Sequence, residues 1–170
     1  MKHLFTRLLI VCLVLVGMDT YAQTSTFILM RHAEKDTTAQ GSTMMQADPP
    51  LSAEGKARAA RIPELLKSYA PDAIYSTNFV RTKSTVGPLS AKTGKDIQVY
   101  DHRNLKGFAD ELLKMQGKTV IVAGHSNSTP MLVNLLLKEN KYPNLDESVY
   151  DTYWIVTVTD GKAEAKIMKY

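Results

Sequence analysis

Two arginines and two histidines are the residues of this chain best placed to do chemistry. Arg31 and His32 follow a short apolar run at Thr26–Met30, Arg81 comes a few residues after Ala73–Tyr75, and His125 lies just past the apolar run Thr119–Ala123. Each run reads as a buried strand, and in a parallel sheet the ends of such strands are where ligands bind. Guanidiniums hold a phosphoryl group by paired N–H···O bonds and stay charged at any working pH, so a phosphate dianion is the natural guest. Gathering cations in a partly dry pocket with no anion is costly. The cluster therefore points to anion binding before any reaction is considered. Singly, each residue has a plainer reading: a loop histidine bonded to backbone, a solvated arginine opening a helix, a histidine satisfying carbonyls. The joint placement carries the weight.

The elements that must position these groups alternate along the chain. Ser52 reads as the cap of a helix with Glu54 in its first turn and Ala57, Ala60, Ile62, Leu65, Leu66 and Tyr69 as its apolar face. Pro63 should kink or break it. A second helix starts near Arg81 and ends by Gly94, with Pro88 inside it, and Ile97–Tyr100 reads as the next strand. Leu105–Met115 is expected to be helical, and Thr129-Pro130 opens a further helix at a first-turn position that tolerates proline. Thr152–Thr159 and Ala163–Met168 alternate around the turn signal Asp160-Gly161. The pattern predicts a three-layer α/β/α sandwich whose central sheet is mostly parallel, with a C-terminal antiparallel hairpin at or near one edge. The segment from Ala33 to Pro50 exceeds an ordinary connection, which favours a functional role.

Composition bounds the rest. With 170 residues, 44% of them hydrophobic and 22% charged, the chain suits one globular domain rather than a disordered, collagen-like or polytopic membrane protein. Its formal charge of +4 comes from scattered Lys and Arg, which fits a small anionic substrate better than nucleic acid. Lys2 and Arg7, the apolar run Leu8–Val16 and Thr20-Tyr21-Ala22 read as a signal peptide over residues 1–22, cleaved after Ala22. The run is well short of the roughly 20 residues of a spanning helix, so no stable membrane anchor is expected after cleavage. Residues 23–170 then form a single domain in the periplasm or outside the cell. The one cysteine, Cys12, goes with the signal, which removes thiol catalysis, cysteine zinc sites and disulfides.

The same residues resemble a known family, the histidine phosphatase superfamily, also called phosphoglycerate mutase-like. The resemblance rests on Arg31-His32-Ala33-Glu34-Lys35, Pro50-Leu51-Ser52-Ala53-Glu54-Gly55, Ser76-Thr77 with Arg81-Thr82-Lys83-Ser84-Thr85, and Gly124-His125-Ser126-Asn127, and spans about residues 26–159. It implies that the chain hydrolyses phosphomonoesters on a small phosphorylated substrate without metal or cofactor. It further implies that His32 is the nucleophile and that Arg31, Arg81 and His125 grip the phosphoryl oxygens. Such a nucleophile must be neutral, which nearby guanidiniums favour, and its other ring nitrogen needs an acceptor to fix the tautomer. Glu34, Lys35 and Asn127 are expected to contact substrate.

The proton donor for the leaving group does not follow as directly. One branch of the family has an aspartate directly after the second histidine, where this chain has Ser126; another has a glutamate near the strand that follows the second arginine, a region occupied by Tyr100-Asp101-His102. Asp101 is the expected donor, with Glu34 and Asp36 as alternatives. Three other readings compete. Gly124-His125-Ser126-Asn127-Ser128 resembles a nucleophile elbow with Ser126 as a hydrolase serine, but no histidine follows His125. His32, Glu34, Asp36, His102 and His125 could ligate a metal, against the repulsion of two arginines. A phosphate-binding module that has lost turnover is the third.

Overall fold

The computed structural model describes residues 23–38 and 48–170; the expected signal segment lies outside them. Six strands form one sheet: β1 Ser25–Arg31, β2 Ala73–Ser76, β3 Ile97–Val99, β4 Thr119–Gly124, β5 Thr152–Thr159 and β6 Lys162–Lys169, in the order β3-β2-β4-β1-β5-β6. The first four run parallel, whereas β5 is antiparallel to β1 and to β6. The expected hairpin thus closes one side of the sheet, with β6 as its margin.

Period-two alternation sends Phe27 and Leu29 of β1 to one face and Ile28 and Met30 to the other, and all four are fully buried. Helices α1 (Ala53–Leu65) and α2 (Val80–Thr93) cover the Ile28 face through Ile62, Leu66, Val86 and Leu89. Helices α3 (Leu105–Leu112) and α4 (Ser128–Leu137) cover the Phe27 face through Phe108, Leu112, Leu132 and Leu136. The result is the three-layer α/β/α sandwich.

Two local expectations need correction. Helix α1 begins as its cap requires, with Ser52 Oγ accepting from the Gly55 amide at 3.1 Å, yet Ala57 and Ala60 are exposed. Its buried line is Gly55, Ala59, Ile62 and Leu66, because the helix is pressed end-on against the chain after β1 and its closest approach is made by a glycine. Helix α3 stops at Leu112 rather than Met115, since the amides of Lys114 and Met115 turn back three residues to Glu111 and Leu112.

The approach at Gly55 is tight enough to predict a substitution. A Cβ there would lie 2.2 Å from the Glu34 carbonyl oxygen, a backbone atom. Gly55→Ala should therefore destabilise the fold by about 1–3 kcal/mol through overpacking, read as a lower midpoint in urea unfolding; an unchanged midpoint would contradict this packing.

Candidate active site

The end of β1 is locked to its neighbours by hydrogen bonds that its sequence supplies. The His32 amide donates to Gly124 O at 2.9 Å, and the Ala33 amide donates to Thr85 Oγ1 at 2.9 Å. Thr85 in turn donates to Arg81 O at 2.8 Å, so one hydroxyl on α2 ties the His32 segment to the Arg81 turn. Thr82 does the same for β2, donating to the carbonyls of Thr77 and Phe79 at 3.1 and 2.9 Å. The hydroxyl-rich stretch Ser76-Thr77 to Thr85 is a scaffold between strand ends.

His32, Lys35, Arg81, His125 and Asn127 line one cavity of about 510 Å³ at the carboxyl ends of β1, β2 and β4. The His32 and His125 rings are 5.5 Å apart and meet edge-on. Nδ1 of His32 donates to the Ala33 carbonyl at 2.8 Å, leaving Nε2 with its lone pair. Burial, reinforced by the charges of Arg81, Arg31 and Lys35 and opposed by the Ala33 bond, brings His32 down from 6.5 to about 4. Burial and then the neighbouring His32, Arg81, His102 and Arg31 bring His125 down to about 3. Both imidazoles are therefore neutral at neutral pH.

These values make a titration prediction. An unfolded imidazole takes its proton near 6.5 and the folded His32 only near 4, so the unfolded chain binds more protons between those values. Folding stability should accordingly shrink as pH falls from about 6.5 towards 4. NMR titration of the His32 ring should place its midpoint near 4; a midpoint at the ordinary value would refute the buried, cation-flanked setting.

Arg31 is arranged differently from the sequence expectation. It is 1% exposed and lies behind the cavity, not on its lining. Its Nη1 donates to the carbonyls of Asp146, Glu147 and Val149 at 3.0, 3.1 and 2.8 Å, and its Nη2 to Glu147 Oε2 at 2.9 Å. The guanidinium also stacks over Tyr150 at 4.0 Å. A segment without regular structure, 138–151, is thus wrapped around the site by one buried arginine.

Two expected residues are not brought to the cavity. The Glu34 carboxylate is turned away, its two oxygens sharing the single Nε–H of Arg58 at 2.8 and 3.0 Å. Asp101 is exposed and closes a local turn, accepting from the Arg103 amide and Nε at 3.0 Å each. That turn delivers the next side chain instead: His102 lines the cavity, its ring 5.4 Å from His125. Asp36 accepts from the Thr38 amide and hydroxyl at 2.8 Å each.

Two carboxylates were missed. Asp48 accepts from the Val80 amide at 2.9 Å with each oxygen and pairs with Arg81 Nη1 at 3.3 Å, so it caps α2 and steadies Arg81 together. Glu147 lines the cavity, accepts from Ser126 Oγ at 2.5 Å and lies 3.6 Å from Lys35 Nζ. Ser126 is therefore engaged by a carboxylate; no His32 or His125 ring nitrogen bonds it among the described residues. Nor do three His, Cys, Asp or Glu side chains converge as a metal site among those residues.

Residues 27–108 match the family model for the histidine phosphatase superfamily, branch 1. No curated protein matches the chain significantly. Solved structures do. Mycobacterial glucosyl-3-phosphoglycerate phosphatase superposes with a TM-score of 0.68 at 16% identity, over 87% of this chain and 99% of that one. A phosphoserine phosphatase variant from Entamoeba histolytica, in complex with phosphoserine, gives 0.63 at 13%, over 84% and 95%. A candidate phosphohistidine phosphatase, SixA, from Agrobacterium tumefaciens gives 0.62 at 19%, over 85% and 98%. At such identities these likenesses are of fold.

Proposed function

We propose that this chain, which belongs to the histidine phosphatase superfamily, is a phosphomonoester hydrolase that works through a phosphohistidine on His32. The observation that carries this reading is the tautomer lock: with Nδ1–H given to Ala33 O, Nε2 keeps its lone pair in a cavity shared with Arg81, His125 and Lys35. Phosphoryl transfer asks mainly for in-line positioning and charge stabilisation, and those groups supply both without moving a proton. Arg31 joins by exchange, its Nη2 leaving Glu147 for a phosphoryl oxygen while Nη1 keeps the carbonyls of segment 146–149. The reaction uses no metal, and the enzyme works outside the cytoplasm, delivered by segment 1–22.

Lys35 and Asn127 meet the substrate, whereas Glu34 and Asp101 do not. The test is to quench turnover of a phosphomonoester in alkali and map the phosphoryl group by peptide mass spectrometry. It should sit on His32. Steady turnover with label on another residue, or with no label at all, would overturn the reading.

A further inference from the structure

We propose that Glu147 is the carboxylate that exchanges protons with the leaving group and with the attacking water, hung in place by Ser126. This inference rests on the phosphohistidine reading above. Ser126 directly follows His125 and lines the same cavity as Glu147. Its hydroxyl donates to Glu147 Oε1 at 2.5 Å. A carboxylate is thus brought beside His125 from 21 residues downstream of Ser126. Its anchor is independent of its own side chain, because Arg31 Nη1 grips the backbone carbonyls on both sides of it and its own. The Leu145 amide adds a bond to Ser126 O at 2.9 Å, so the loop and the His125–Asn127 turn are joined at two points. Asp101, the acid expected from sequence, is tied to Arg103 and does not line the cavity.

In the empty site Ser126, Arg31 and Lys35 favour the ionised carboxylate. A bound phosphomonoester reverses this setting, since its oxygens take over Arg31 Nη2 and bring negative charge beside Glu147. The ester arrives as its monoanion and passes its proton to Glu147. As His32 Nε2 bonds to phosphorus, the P–O bond to the leaving group breaks. The electron pair goes to the leaving oxygen, which takes the proton from Glu147. Water oxygen then bonds to phosphorus, the P–N bond breaks with its pair returning to Nε2, and a water proton passes to Glu147. Glu147 hands that proton on to the phosphate, alcohol and the phosphate monoanion leave, and the carboxylate is ionised again as in the empty site.

The test compares p-nitrophenyl phosphate, whose leaving group barely needs an acid, with glycerol 2-phosphate, whose alkoxide does. In Glu147→Gln, kcat/KM for the alkyl ester should fall about 100-fold or more, and that for the aryl ester at least ten times less. Ser126→Ala should lower kcat on the alkyl ester by about ten-fold with KM nearly kept, the mark of a positioning residue. Glu147 is exposed, and equal melting temperatures will show that the variants fold.

Equal loss on both esters, a gain on both, or no alkyl turnover by the wild type would overturn the proposal. If the wild type turns over the aryl ester through phosphorylated His32 and only the differential is missing, this inference fails alone. If no phosphohistidine forms, both readings fall.

Discussion

His32→Ala should lower p-nitrophenyl phosphate turnover by about 10⁴-fold or more, the scale on which loss of a covalent nucleophile usually falls. The prediction separates an enzyme from a phosphate-binding module, because turnover through a phosphohistidine needs His32 whereas holding phosphate does not. Arg81, His125 and Lys35 would still face the empty space, so orthovanadate or inorganic phosphate should bind the variant within about ten-fold of wild type. His32 is 4% exposed and, among the described residues, its ring nitrogens bond only the adjacent carbonyl, so the variant should fold. Equal turnover in both proteins would remove His32 as nucleophile. Tight phosphate binding with no turnover by the wild type would make the chain a receptor.

The second large effect is expected at Arg31, and it should appear in stability as well as activity. The guanidinium makes three bonds to carbonyls and one to a carboxylate from a 1% exposed position. The Glu147 contact contributes little to folding, since that carboxylate is 67% exposed and screened by water. The carbonyl bonds are different: hydrogen bonds to a charged group are each worth about 1.5–3 kcal/mol, and their loss is shared with a segment that can partly rehydrate. Arg31→Ala should then cost about 3–5 kcal/mol, the usual range for breaking a buried charged contact. It should also release segment 146–149, read as faster amide hydrogen exchange there. Arg31→Lys should recover little of either, because an ammonium on a single stem cannot reproduce the planar fork. Unchanged exchange in segment 146–149 would show that other contacts hold the wrap.

How far these residues could be read in advance depends on what places them. His32, Arg81 and His125 follow strands whose apolar runs are unmistakable, so their positions came with the sheet. The carbonyl acceptor on His32 was foreseeable as a need, though not as Ala33. Asp48 and Glu147 were not legible, because each lies in a segment with no periodic pattern and is placed by partners 21 to 116 residues away. Only the long, breaker-rich stretch from Ala33 to Pro50 hinted at a functional loop, and the run after Leu137 that carries Glu147 gave no such signal.

Asp101 stays off the cavity for a local reason: an aspartate two residues before an available amide closes a turn on it, and His102 lines the cavity instead. Helix α1 failed by phase. Its contact line starts at Gly55, which hydrophobic counting passes over, so Ala57 and Ala60 were credited with a face they do not have.

The antiparallel bridge between Lys35 and Leu51, with the Asp36 amide on Pro50 O at 2.8 Å, brings the chain back to where it departed. Of the interval between these clasped ends, the described helices register the closure and Asp48, which caps α2 and pairs with Arg81, and the cost of closing such a loop rises slowly with its length. Insertions placed ahead of Asp48 should therefore be tolerated, because both the clasp and the α2 cap stay as they are.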